Sequence, residues 1–144
     1  LLLGWLKQIY QDPKNFDFMA LMFQREVADR IAAQPATKAY GRLSVMTQWL
    51  CSAQRVYDLP PSAFTPPPKV SSAIVLFKPK EPVADRPSFA DMEKILAAAF
   101  QQRRKMIRAS LKPYLYAIEA CGLDPTLRAE NLTVQDFVAL AKAL

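Results

Sequence analysis

The chain has 144 residues, 51% of them hydrophobic, which is enough to bury one ordinary core in one domain or in two closely packed subdomains. It carries 19 Lys and Arg against 13 Asp and Glu, a net +6, and contains no histidine. That absence excludes histidine-based acid–base or nucleophilic catalysis, and with Cys51 and Cys121 seventy positions apart it also excludes zinc binding.

The positive charge favours a polyanionic partner, because each cation near a phosphate releases a condensed counterion. It is unevenly placed. Residues 1–80 carry a net +5 and residues 81–144 a net +1, yet residues 101–112 hold five basic residues and no acid. The two cysteines read as reduced, buried thiols of a cytosolic protein. The apolar opening, residues 1–6, is too short to span a bilayer and lacks a signal-peptide pattern. The sequence does not begin with Met, and its first residues read as the middle of an amphipathic helix, the expectation for a fragment of a longer protein.

Leu2, Leu3, Leu6, Ile9 and Tyr10 recur at helical spacing until Asp12-Pro13 stops the helix. Residues 16–23 (FDFMALMF) form a short apolar run, expected as a strand buried on both faces of an α/β sheet. Residues 24–33 turn helical, and residues 41–50 read as a helix with Leu43, Met46, Trp49 and Leu50 as its apolar face. Residues 55–59 suggest a further strand. Residues 60–69 (PPSAFTPPPK) contain five of the twelve prolines, and proline's fixed φ and missing donor make this a stiff, extended loop. Residues 70–77 alternate like a strand, and residues 79–87 read as a polar linker.

Everything beyond reads as helical. Ser88 caps a helix expected to run over 89–112 and to end near Pro113; a second spans 114–121 and stops at Gly122. Asp124-Pro125 opens a short third helix, and Thr133 with Asp136 makes a capping box for the last. The expected organisation is thus α/β plus all-α: strands and helices over 1–80, a linker at 81–87 and a helical domain over 88–144. Three strands are too few for a sound sheet, so a missing sheet is implied.

On the expected 89–112 helix, at about 100° per residue, Leu96, Phe100, Ile107 and Leu111 form the buried stripe. Arg104, Lys105, Arg108 and Lys112 line one flank. Like charges at i, i+4 repel, so four unrelieved cations suggest a phosphate-binding face, with plain solvated surface as the alternative. Arg103 projects into the apolar stripe, and is expected to pair with Glu130 or to sit at the junction of the two parts. Phe64 has three readings: a core or staple residue in a rigid connection, part of a polyproline ligand, or an aromatic surface on which an extruded base stacks.

The segments AYGRLSV (39–45), PPSAFTPPPKVSSAIV (60–75), AFQQRRKMIRASL (99–111) and RAENLTVQDF (128–137), with Gln24-Arg25-Glu26-Val27, resemble successive signatures of the KsgA-type adenine dimethyltransferases. The resemblance implies the C-terminal strands and helices of a Rossmann-like methyltransferase domain, followed by a small helical domain. It implies methyl transfer from S-adenosylmethionine, without a metal, to N6 of two adjacent adenosines near the 3′ end of small-subunit (16S) rRNA, on immature subunits during ribosome biogenesis. Phe64 matches the aromatic residue that covers one side of the target adenine. Arg25, Lys38, Arg42, Lys69, Arg103, Arg104, Lys105, Arg108 and Lys112 are the expected RNA-binding set. The family's Gly-rich cofactor loop, its acidic ribose-binding residue and its Asn-Leu-Pro-Tyr loop all precede the stretch present here. These residues alone are therefore expected to be inactive and to hold no cofactor site, as part of a cytoplasmic, monomeric enzyme with no membrane association. The alternatives are a non-catalytic RNA-binding module of the same lineage acting in ribosome assembly, and a resistance methylase acting on large-subunit rRNA.

Overall fold

The computed structural model describes residues 2–144; Leu1, part of the apolar opening, lies outside the described residues. Helix α1 (Leu2–Gln11) buries Leu2, Leu6 and Ile9 and ends where Asp12-Pro13 forbids continuation. Strand β1 (Met19–Gln24) leads directly into α2 (Arg25–Ile31), and α3 (Arg42–Leu50) leads directly into β2 (Cys51–Leu59). Strand β3 (Ser72–Pro79) lies between the other two in a three-stranded antiparallel sheet of order β1-β3-β2. It aligns Leu21 with Val75 and Phe23 with Ala73 on one face. That face enters the core, where Phe23 meets the buried Phe77 edge to face.

The opposite face is open. The strand expected over 16–23 begins only at Met19, and it is not buried on both faces: Met22 is 54% exposed, and Tyr57, the neighbour of Ile74 across β2 and β3, is 61% exposed. The apolar run has a core partner for Leu21 and Phe23 and none, among the described residues, for Met22. β2 reaches back to Cys51, beyond the expected 55–59, because pairing with β3 extends it through the weakly β-prone Ser52, Ala53 and Gln54, with a bulge between Arg55 and Tyr57.

The helical portion also departs from expectation. No single helix covers 89–112. Helix α4 (Phe89–Gln101) is followed by a turn, by α5 (Ile107–Ser110), by a 3-10 turn (Lys112–Tyr114) and by α6 (Leu115–Ala120). The chain turns because Met106 is extended and bridges to Arg128, while the amides of Ile107 and Arg108 donate to the carbonyls of Leu127 (2.7 Å) and Pro125 (3.1 Å). A tertiary pairing thus satisfies the donors at the start of α5. It also releases the like-charge repulsion that a continuous helix would have imposed on Arg104 and Arg108.

The helix expected at Asp124-Pro125 is instead a turn. Asp124 accepts from both Thr126 N (2.9 Å) and Thr126 Oγ1 (2.7 Å), and those bonds hold its carboxyl below the usual carboxylate range. The remaining signals are realised. Ser88 accepts from Asp91 N at 3.1 Å, Gly122 takes φ +66, and Thr133 and Asp136 exchange bonds of 3.1 and 2.9 Å at the start of α7 (Val134–Lys142).

Buried residues of both portions make one hydrophobic cluster. An aromatic chain crosses it: Tyr40 meets Phe100 at 6.0 Å, and Phe100 meets Phe137 at 5.5 Å. Helix α3 packs on both α4 and α7, so the sheet side and the helical side share a core.

Candidate nucleic-acid interface

The cations of 101–112 remain close in sequence, but they do not line one helix. Arg104 and Lys105 lie in the turn after α4, Arg108 lies on α5 and Lys112 on the 3-10 turn that follows. All four are exposed, and among the described residues none has a carboxylate partner. Arg103 is different. Its Nη2 donates to the carbonyl of Tyr40 at 3.0 Å and lies 3.6 Å from Glu130 Oε2, so its charge is engaged within the protein where the sheet side meets the helical side. The expected pairing with Glu130 is present, although Arg103 lies in the turn after α4 and not on a helix.

Around that ion pair the two sides enclose an open groove of about 410 Å³ lined by Lys38, Arg103, Arg104, Arg128 and Glu130. A neighbouring hollow of about 410 Å³ adds Arg30, Arg42 and Phe100. The fold thus gathers Lys38, Arg42, Arg103 and Arg104 from loops, α3 and the turn, and adds two cations that sequence reasoning did not select. Arg30 sits in the last turn of α2, and Arg128 enters through the bridge with Met106 that broke the long helix. Arg128 lies within the RAENL segment, which carried the family resemblance but no assigned role.

Arg25 belongs to a second place, and Lys69 is exposed in the proline-rich loop that ends beside it. The Arg25 amide donates to Ser71 O at 2.9 Å, which pins the end of the proline-rich loop to the start of α2 beside a hollow lined by Gln24, Arg25, Glu26 and Ser71. Within that loop Phe64 is half-buried, stands outside the hydrophobic cluster and is extended (φ −119, ψ 154). Its amide donates to Pro61 O at 3.2 Å, and the Thr65-Pro66 peptide after it is cis. Pro61 and Pro66 bracket the segment that carries this ring, and each fixes its own φ.

Two buried groups have perturbed acidities, Tyr40 beside Arg103 and Cys51 at the far end of α3. Tyr40 is fully buried, its hydroxyl lacks a partner among the described residues, and burial, then the charge of Asp136, push its pKa well above the usual tyrosine value. Burial pushes the Cys51 thiol up to about 11, against the opposing pull of Lys80. The described residues contain no group of three or more His, Cys, Asp or Glu able to hold a metal ion, and no helix among them is long and apolar enough to cross a membrane. A Cβ placed on Gly4, Gly41 or Gly122 would meet nothing within 4 Å, so the backbone at all three faces open space.

The fold is shared with part of two solved structures. One is a dimethyladenosine transferase from Plasmodium falciparum, with a TM-score of 0.75 and 24% identity over 96% of this chain and 60% of that one. The other is the 23S rRNA methyltransferase ErmE, with a TM-score of 0.60 and 22% identity over 99% of this chain and 59% of that one. The sequence then fixes the family: residues 3–144 match the ribosomal RNA adenine dimethylases, and the chain belongs to that family. Curated relatives named ribosomal RNA small subunit methyltransferase A are 50% identical in Rhodospirillum rubrum, over 100% of this chain and 50% of the relative, and 51% identical in a Ruegeria species, over 100% and 52%. The chain spans about half the length of these relatives.

Proposed function

We propose that the protein represented by these residues dimethylates N6 of two adjacent adenosines near the 3′ end of small-subunit rRNA during ribosome biogenesis, with S-adenosylmethionine as methyl donor. In this reading β1–β3 are the C-terminal strands of a Rossmann-like catalytic domain, and residues 88–144 are its RNA-binding helical domain. The donor is held by parts of the longer protein that these residues do not contain. The protein works as a cytoplasmic monomer on immature small subunits.

Phe64 carries the reading. It is an aromatic ring excluded from the hydrophobic cluster and set on a segment bracketed by prolines, and so suited to stack on an extruded base at small entropic cost. A ring that served only as a staple would join the cluster. Phosphates on either side of the target would be gripped by Lys38, Arg42, Arg104 and Arg128 at the seam, by Lys105, Arg108 and Lys112 along the helical portion, and by Arg25 and Lys69 nearer the loop. Arg103 would shape that surface more than contact RNA, because its charge is already engaged. Such contacts orient a folded RNA by shape and backbone, and leave the choice of base to the pocket.

Base stacking contributes about 1–3 kcal/mol, so Phe64→Ala in the full-length protein should lower turnover on immature small subunits by about 5- to 150-fold while rRNA affinity changes less than about twofold. Equal turnover would reduce Phe64 to a structural residue. Methyl transfer by the 144-residue chain itself would overturn the placement of the donor site elsewhere. The names of the curated relatives favour small-subunit over large-subunit rRNA as substrate.

A further inference from the structure

We infer that residues 80–87 act as a strap and not as a hinge, with Arg86 as its fastening point. Arg86 is a positioning residue, which holds the helical cations at one orientation relative to Phe64. The effect on methyl transfer rests on the function proposed above, whereas the strap itself follows from geometry.

The segment reads as a polar linker, but it lacks what a hinge needs. Prolines stand at 79, 82 and 87, and no glycine occurs between Gly41 and Gly122. Its first residue is fastened twice to the end of α3: Lys80 N donates to Leu50 O at 2.9 Å, and its Nζ donates to Gln48 O at 2.6 Å. A cation on the last carbonyls of a helix is favoured by the helix dipole.

The other end is held more specifically. Arg86 Nη2 donates to Tyr10 O at 2.6 Å in the last turn of α1, while its guanidinium carbon lies 3.7 Å from the centroid of the Tyr10 ring. Tyr10 returns a bond, its hydroxyl donating to Pro87 O at 3.0 Å. The same ring packs on Trp49 of α3 at 5.4 Å and on Phe89 of α4 at 5.8 Å, and Trp49 meets Phe89 at 6.2 Å. Arg86 thus closes an aromatic cluster to which α1, α3 and α4 each contribute. Among the described residues it has no carboxylate partner, so the carbonyl and the ring face satisfy its charge. The exposed pair of Asp85 and Lys142, 2.9 Å apart, adds little.

Arg103 holds the other end of α4, through Tyr40 O and Glu130, and the Ala36 amide donates to Glu130 O at 2.7 Å. Two arginines therefore fasten the seam at the two ends of a helix about 20 Å long, with the shared core between them. RNA held by the helical cations must present its target base to Phe64 with little freedom, and orientational freedom at that step lowers the reaction rate without weakening binding.

The test uses the full-length protein with labels introduced through unnatural amino acids at the exposed positions 52 and 120, and reads their distance distribution and the rRNA methylation kinetics. Arg86→Ala should widen the distribution about twofold and lower kcat about tenfold, with rRNA affinity within about twofold of the parent. Arg86→Lys keeps the charge but loses the planar fork, so it should widen the distribution too. It carries the test should the alanine variant lose its circular-dichroism spectrum. Tyr10→Phe, which removes only the bond to Pro87, should fall between. A distribution that stays narrow in Arg86→Lys and Arg86→Ala overturns the strap, as does a fall in affinity that matches the fall in kcat. If the parent protein methylates no rRNA, the proposed function fails, and the distance distribution alone decides the strap.

Discussion

Neutralising Arg104 and Arg108 together separates a phosphate-binding surface from ordinary solvated charge. Both side chains are exposed and lack carboxylate partners among the described residues, so Arg104→Gln/Arg108→Gln should leave the melting temperature within about a degree of the parent, as exposed substitutions without contacts do. Each cation seated on a phosphate adds about 0.7 to the slope of log affinity against log salt for single-stranded RNA, and about 0.9 for a duplex. Loss of two such contacts should flatten the slope by about 1.4–1.8, so the affinity gap between variant and parent narrows about tenfold between 50 and 200 mM salt. Fluorescence anisotropy with a labelled rRNA fragment measures this directly. Parallel salt plots would remove both residues from the interface. Arg103→Gln is the contrasting control: the ion pair with Glu130, at 39% and 30% side-chain exposure, contributes about 0–1 kcal/mol and the bond to Tyr40 O about 1 kcal/mol. It should lower the melting temperature by a few degrees and change the slope less.

Tyr40→Phe removes a buried hydroxyl that has no partner and leaves the ring's packing against Phe100 intact; it should stabilise the protein by about 1 kcal/mol in chemical unfolding, and destabilisation would mean that the hydroxyl is bonded. The Cys51 thiol titrates at about 11 in the fold and near 9 when unfolded, so the unfolded chain loses its proton first. This group's contribution to stability is therefore complete below pH 9 and falls as pH rises towards 11, and Cys51→Ala should flatten that part of the stability profile. Thr133→Ala deletes the cap of α7 and should cost about 1 kcal/mol by denaturant titration, whereas Thr133→Ser should cost much less.

Local signals in the sequence were reliable where the physics is local. Ser88, Gly122 and the pair Thr133–Asp136 satisfy helix ends from within a few residues, and each does what its spacing implies. The misreadings arose where a distant partner decides. Residues 102–106 look helical until Met106 finds Arg128, and Ser52 to Gln54 become strand only because β3 lies beside them. Asp124 is the local exception: it has a cap's chemistry, but its oxygen bonds two residues on and makes a turn. The same long-range bridge explains the incomplete view of the basic groove. Arg104 was visible as part of a charge run, while Arg30 and Arg128 join it only through folding. The Arg86 strap was invisible for a similar reason: nothing in a polar, proline-rich segment announces that a tyrosine 76 positions away will hold it.

The bare side of the sheet bears on handling. Met22, Tyr57 and the flanking strand edges offer hydrocarbon and unpaired backbone together, the combination by which chains adhere to one another. Preparations limited to these 144 residues should therefore scatter more light as they are concentrated, and salts that strengthen apolar association should hasten clouding.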